Sequence, residues 1–160
     1  MTVIVNGFAY PSLTSTDSTA AINPGTVVTT DEGGMAVYVQ AASAVSQYNA
    51  VCIPNTNIVT NATTARVADT KRVGFAQVSI ASGYYGWVLL GGKVRVNVSA
   101  SCLPGVALYT TSTEGRLDDA TVSGALVAGV VTEVTASATS AMTAVAAYTM
   151  VIPVPSNATP

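Results

Sequence analysis

The middle of this chain contains an approximate internal repeat, and its two copies are fifty residues apart. Residues 50–54 (AVCIP) return as residues 100–104 (ASCLP), and residues 66–69 (RVAD) return as residues 116–119 (RLDD). Two degenerate copies are too few to build a solenoid, in which each repeat stacks on its neighbours. The repeat therefore predicts one compact domain made of two similar halves.

Residue usage predicts that both halves are built from β-strands. Val, Thr, Ile and Tyr are frequent, and clusters of Gly, Pro, Asn and Asp interrupt them at short intervals, which is typical of an all-β domain. We expect strands at residues 2–5, 26–30, 36–42, 49–53, 73–80, 86–90, 93–98, 106–110, 116–117, 126–134 and 145–154, the last ended by Pro153 and Pro155.

The centre of the chain carries the clearest strand pattern. Residues 86–90 (GWVLL) form a near-continuous apolar run, which predicts a strand buried on both faces. Gly91-Gly92 then predicts a two-residue hairpin turn, because such turns need positive φ. The next strand alternates, with Val94, Val96 and Val98 on one face and Lys93, Arg95 and Asn97 on the other. One face is expected in the core, and the other in water or against a partner.

The chain is expected to divide into an N-terminal strand or arm (1–24), a single β domain (25–155, with repeat copies at about 50–78 and 100–134) and a short tail (156–160). Residues 9–24 are rich in Ser and Thr and favour an extended arm. Ile4, Phe8 and Tyr10 are its candidate anchors, which could add a strand to a neighbour's sheet edge. The alternative is that residues 2–5 pair within their own domain.

The chain has an unusually low charge content. Only 9% of residues are charged, against roughly 25% in a typical soluble domain, while 49% are hydrophobic. Such a surface is explained by partners, by assembly or by Ser/Thr-covered strands. With six Lys and Arg against eight Asp and Glu, no basic field is present to hold phosphates, so we expect no nucleic-acid partner. We also expect no membrane span and no signal peptide.

The residue types needed for catalysis are scarce. The sequence has no His, so neither a Ser-His nor a Cys-His pair can be assembled, and we expect a protein that is not an enzyme and has no cofactor. Among acidic pairs, Asp31-Glu32 forms no obvious acid/base dyad, and Asp118-Asp119 favours a solvated turn over a calcium site. The N-x-[ST] sequons at Asn61, Asn97 and Asn157 matter only in a secretory pathway.

Two kinds of residue leave alternatives open. Cys52 and Cys102 occupy matching places in the two copies, and we favour free buried thiols over a disulfide. Trp87 could join Tyr84 and Tyr85 in a sugar-stacking platform, but the apolar run around it favours the core. Tyr84 and Tyr85 lie at a turn and are candidate interface residues, together with Lys93 and Arg95.

Several segments together resemble the small head decoration, or capsid cement, proteins of tailed bacteriophages. They span about residues 26–134: YVQA and YNAV at 38–41 and 48–51, VGFAQ at 73–77, GYYGWV at 83–88, the following predicted hairpin, and GRL at 115–117. The two ends of the chain do not match that pattern.

The resemblance implies a compact β-barrel or β-tulip-like domain on the outer surface of an assembled capsid. It further implies a homotrimer that contacts the major capsid protein, bridges its subunits, and is synthesised in the host cytoplasm before joining the virion. The alternative from a different class is a head-fibre or tail-appendage module that binds host-surface glycans or proteins.

Overall fold

The chain folds almost entirely into β-strands. The computed structural model describes residues 3–5, 8–10, 13–30, 33–67, 72–136 and 143–156, with side chains in 13–30, 33–67 and 72–136. The all-β prediction is confirmed. The elements are β1 (Val3–Val5), β2 (Phe8–Tyr10), β3 (Thr16–Asp17), β4 (Val27–Thr30), β5 (Met35–Ala41), β6 (Ala50–Ile53), β7 (Ile58–Asn61), helix α1 (Thr64–Val67), β8 (Arg72–Ala76), β9 (Tyr85–Val98), β10 (Leu108–Thr110), β11 (Leu117–Asp118), β12 (Leu126–Thr132) and β13 (Thr143–Ser156).

Five strands of the first half close into a barrel, as the resemblance to head decoration proteins implied. β5 pairs with β9, β9 with β8, β8 with β6, β6 with β7, and β7 returns to β5. The β5–β7 contact is parallel and the others are antiparallel. Closure leaves this part of the sheet without free edges, which otherwise invite pairing with other chains.

Alternate residues of the barrel strands divide between two apolar cores. One core holds Val37 and Val39 of β5 with Val88 and Leu90 of β9, and it fills the barrel. The other core includes Tyr38, Phe75, Trp87 and Leu89, which point outward from the barrel, together with residues of the second half. β9 is therefore apolar on both faces from residue 86 to residue 90, as predicted, because each face meets a core.

The second half repeats this pairing scheme. The C-terminal part of β9 pairs with β13, β13 with β12, β12 with β10 and β10 with β11. β11 returns to β9 through a parallel contact between Leu117 and Val98. The order of partners matches that of the first half, and β9 serves both halves. The two pseudo-repeated halves are thus a property of the fold.

Backbone hydrogen bonds fix the spacing of the repeat. The Ala42 amide donates to the Val59 carbonyl (2.9 Å) in the first half. The equivalent bond in the second half runs from the Ser99 amide to the Leu117 carbonyl (2.8 Å), and its donor and acceptor lie 57 and 58 positions further along the chain. Likewise, Val45 exchanges hydrogen bonds with Ile80, and the Ala136 amide donates to the Cys102 carbonyl. Equivalent positions are therefore 56 to 58 residues apart, whereas the sequence match suggested fifty.

The prediction of a hairpin at Gly91-Gly92 is wrong, because both glycines lie inside the continuous strand β9. Residues before them pair with β5 and residues after them pair with β13. Gly92 has a φ of +94°, and a Cβ there would lie 2.7 Å from Gly34 Cα. These glycines allow two backbones to touch where β9 passes from one half to the other.

Both ends of the chain contain more strand than predicted. Residues 8–10 and 16–17, expected within an extended arm, form β2 and β3. β13 continues through Pro153 and Pro155 to Ser156, where the sequence predicted that the prolines end it. Its last residues pair with β12 on one side only, so an imino nitrogen without a hydrogen is tolerated.

Candidate functional site

The N-terminal candidate residues lie on strands that pair within the chain. β1 pairs with β2 and with β4, placing Val3 opposite Thr30 and Ile4 opposite Thr29. This is the second of the two alternatives considered for residues 2–5. The side chains of Ile4, Phe8 and Tyr10 lie outside the described residues, so their role as anchors stays a prediction.

The three central aromatic residues differ sharply in exposure. Trp87 is 1% exposed and packs edge-on against Tyr38 with ring centroids 5.1 Å apart, so the prediction of a core tryptophan is confirmed. Tyr85 is half-buried and stacks on Tyr38 at 6.1 Å. Tyr84 is 41% exposed. Of these three residues, Tyr84 is therefore the most exposed to solvent.

Lys93 and Arg95 lie side by side on the exposed face of β9, while Val94 and Val96 are buried, as the alternation predicted. The Lys93 ammonium is 3.3 Å from a Glu133 carboxylate oxygen. The Arg95 guanidinium lies over the Tyr48 ring, 5.7 Å from its centroid. Among the described residues, no carboxylate oxygen is within ion-pair distance of Arg95.

These two cations line a groove of about 490 Å³, with walls formed by Thr14, Gln47, Tyr48, Gln77, Lys93, Val94 and Arg95. Sequence reasoning named the cations but missed the glutamines and Tyr48. These residues come from turns and strand ends that approach β9 only in the folded barrel. No short-range pattern in the sequence could have found them.

A network of buried and half-buried amides joins the two halves near this groove. Asn49 Nδ2 donates to Asn61 Oδ1 (2.9 Å), and Asn97 Nδ2 donates to Asn49 Oδ1 (2.8 Å). Glu114 accepts from Asn61 at 3.4 Å and from Arg66 at 2.6 Å. Asn61 and Asn97, noted as sequon asparagines, are thus held inside this network, and Asn157 lies outside the described residues.

Both cysteines are free and buried, as favoured from the sequence. Burial raises the pKa of the Cys52 thiol to about 11, and Thr63 and Arg66 oppose the shift only in part. Burial also raises the pKa of Cys102 to about 11, with Asp119 and Asp118 adding to the effect. A protonated thiol is a poor nucleophile and a poor metal ligand, so neither site favours thiol chemistry at neutral pH.

Asp118 ends strand β11 and Asp119 follows it, and both are half-buried, whereas the sequence favoured a solvated turn. An Asp119 carboxylate oxygen accepts a 2.9 Å hydrogen bond from the Leu103 amide, and Asp118 accepts a 3.4 Å one from Ala120. Within the described side chains, no three His, Cys, Asp or Glu residues cluster in a way that could hold a metal ion. Asp31 and Glu32 fall outside these residues.

No protein-family model matches this chain, and no curated protein matches its sequence. In the part of the chain that the structure describes, no helix is long and apolar enough to cross a membrane.

Proposed function

We propose that this protein is a structural, non-enzymatic virion protein that binds the outer surface of an assembled tailed-phage capsid and bridges its subunits. One observation carries the proposal: the segments resembling head decoration proteins are neighbours in the fold. Tyr38 of β5 lies opposite Trp87 of β9, and Val88 of β9 lies opposite Ala76 of β8. The Ala50 amide donates to the Gly115 carbonyl at 2.9 Å, which brings the remaining two segments together.

The physical character of the chain supports this role. A cement protein stabilises a shell by mass action, since it binds the assembled form and not the separated subunits. A closed, rigid barrel loses little conformational entropy on docking. Many copies of modest affinity suffice when each contacts two or more capsid subunits. A homotrimer, as in the resembled family, would also bury part of a surface that carries few charges.

The alternative of a glycan-binding appendage gains less support. An aromatic sugar platform needs an open ring face, and Trp87 is buried while Tyr85 is stacked on Tyr38. Tyr84 remains as an exposed ring. The experiment below therefore includes a result that would favour this alternative.

The test mixes the purified protein with expanded, undecorated capsids of the same phage. The number of copies bound and the melting temperature of the shell are measured as the protein concentration rises. Saturation at a fixed ratio to the major capsid protein, with a higher shell melting temperature, is the expected result. Binding without stabilisation, together with a glycan-array signal abolished by Tyr84→Ala, would favour the appendage. No binding at all would refute the capsid assignment.

A further inference from the structure

Tyr48 adopts a backbone conformation that its side chain disfavours. Its φ is +66°, in the left-handed region where a bulky residue is strained. The equivalent position in the second half is Gly105: the Tyr48 amide donates to the Ala76 carbonyl, and the Gly105 amide donates to the Thr132 carbonyl. Gly105 has a φ of +70°, which glycine tolerates without strain. The first half therefore keeps a tyrosine where the fold prefers glycine.

The ring of Tyr48, whose backbone is strained, lies under a cation. Arg95 lies over its face, as described, and the guanidinium has no acidic partner among the described residues. A guanidinium over an aromatic ring is attracted to the π-face, and it is more weakly hydrated than an ammonium group. Backbone strain that is retained under a functional group is a recognised sign of a binding or catalytic site.

The groove around Arg95 is held in one shape by hydrogen bonds. Gln77 Oε1 accepts from the Arg95 amide (3.2 Å), and Gln77 Nε2 donates to the Arg95 carbonyl (3.1 Å). Gln47 Nε2 donates to the Gln77 carbonyl (3.0 Å), and the Gln47 carbonyl accepts from Asn97 (2.9 Å). A site fixed in this way loses little freedom when a ligand binds.

We propose that this groove binds the carboxylate of an Asp or Glu side chain from a protein partner, with Arg95 as the main contact. Guanidinium and carboxylate groups match in a bidentate geometry that a point charge lacks. Lys93 is already paired with Glu133, so it contributes at longer range. The identification of that partner as the capsid surface rests on the proposed function, whereas the carboxylate site does not.

An acidic sugar fits the groove less well than an acidic side chain. Sugars in protein sites commonly lie flat on an open aromatic face, and here the Arg95 guanidinium already lies over the Tyr48 ring, 5.7 Å from its centroid. The sequence also offers few cations, so a multiply charged phosphate would find little neutralisation. A single carboxylate matches the one available guanidinium.

The carboxylate site is tested directly by NMR with two blocked tripeptides, acetyl-Gly-Glu-Gly-amide and acetyl-Gly-Gln-Gly-amide. We expect the Glu peptide to shift the Arg95 side-chain N–H and Tyr48 resonances saturably, with a weaker response at high salt. The Gln peptide is expected to leave them unchanged. Equal responses to both peptides, or none to either, would overturn the proposal.

The partner is tested with the capsid-binding assay and three variants. Arg95→Gln should weaken binding at least about tenfold, as expected for loss of a charge-assisted contact. Arg66→Gln, which removes the same charge from an exposed ion pair with Glu114, is the matched control and should bind as the wild type does. Tyr48→Gly should relieve strain and preserve or raise the melting temperature, yet weaken binding of the Glu peptide and of capsids.

The two assays separate the two proposals. If the wild type binds the Glu peptide but not capsids, the groove assignment stands and the capsid assignment fails. If capsids bind Arg95→Gln as well as the wild type, the groove does not face the shell, and that part of the inference is refuted. If Tyr48→Gly binds the Glu peptide normally, the strained tyrosine has no part in the site.

Discussion

The Tyr38 hydroxyl donates a 2.6 Å hydrogen bond to Asp17 Oδ2 across 21 positions of sequence. Tyr38 lies in the middle of β5 with its ring buried, and Asp17 lies in β3, which pairs with β9. The same hydroxyl accepts from the Ala21 amide at 3.3 Å. Leu13 is buried in the core that also holds Tyr38 and Trp87, and it anchors the start of this segment. Residues 13–22 are therefore tied to the barrel.

Tyr38→Phe should lower the free energy of unfolding by about 1–3 kcal/mol, because it removes a hydrogen bond to a charged group while preserving the packing of the ring. Urea denaturation measures the change. Tyr84→Phe is the matched control, since the same hydroxyl is removed from an exposed ring, and its effect should stay within about 0.5 kcal/mol. Equal effects of the two variants would show that the Tyr38–Asp17 contact adds nothing to stability.

Gly92→Ala should destabilise the fold by about 2–5 kcal/mol, because a Cβ meets the Gly34 backbone and φ is positive. Gly83→Ala provides the control: it has a similar φ of +80°, but its Cβ would enter open space. That variant should cost only about 1–2 kcal/mol. Chemical denaturation of both variants gives the comparison. A Gly92→Ala cost no larger than that of Gly83→Ala would argue against a close backbone contact between Gly92 and Gly34.

Asn49→Ala should cost about 2–4 kcal/mol of stability, because it deprives Asn61 and Asn97 of hydrogen-bond partners at the junction of the two halves. Asn55→Ala, at an exposed turn, is the control and should change stability by less than about 0.5 kcal/mol. Thermal unfolding followed by circular dichroism reports both. A single transition with an unchanged midpoint in Asn49→Ala would exclude a stabilising role for the network.

The buried thiols should make stability depend on alkaline pH. Their pKa values rise from 9.0 to about 11 on folding, so the protonated form is favoured in the folded state. The resulting stability is present below pH 9 and is lost as the pH rises towards about 11. Between pH 9 and 11, the free energy of unfolding of the wild type should therefore fall more steeply than that of a Cys52→Ala, Cys102→Ala double variant.

The slope difference is the decisive quantity, since tyrosines and lysines titrate in both proteins and alanine substitution itself lowers stability. Parallel curves for the two proteins would contradict the pKa shifts. Reaction with a thiol reagent at pH 8 gives a second readout. We expect no reaction in the folded state and two reactive thiols after unfolding.

Local pattern was sufficient to predict several elements of the fold. The alternation after residue 92 correctly gave buried Val94 and Val96 beside exposed Lys93 and Arg95, because adjacent strand residues must point to opposite faces. The apolar run around Trp87 correctly gave a core residue. Both predictions depend on neighbours within one strand, so the sequence carries them directly.

Other features depend on what each strand meets. Gly91-Gly92 has the sequence of a hairpin turn. The chain instead continues as one strand, β9, whose backbone groups pair first with β5 and then with β13. The sequence repeat appeared at a spacing of fifty residues because short apolar strands have similar sequences and can be aligned in more than one register. Backbone pairing instead relates positions that are 56 to 58 residues apart. The groove under Arg95 gathers Gln47, Tyr48 and Gln77 from separate segments.

The sequence by itself determined an all-β chain with two related halves, few charges and no imidazole chemistry, because composition and strand periodicity are local quantities. The tertiary structure decided where the barrel of the first half closes and which glycines allow backbones to touch. It also decided that Tyr48, with its strained backbone, places its ring under Arg95. Those outcomes follow from long-range hydrogen bonding and packing, which bring together residues whose separation in the sequence carries no signal.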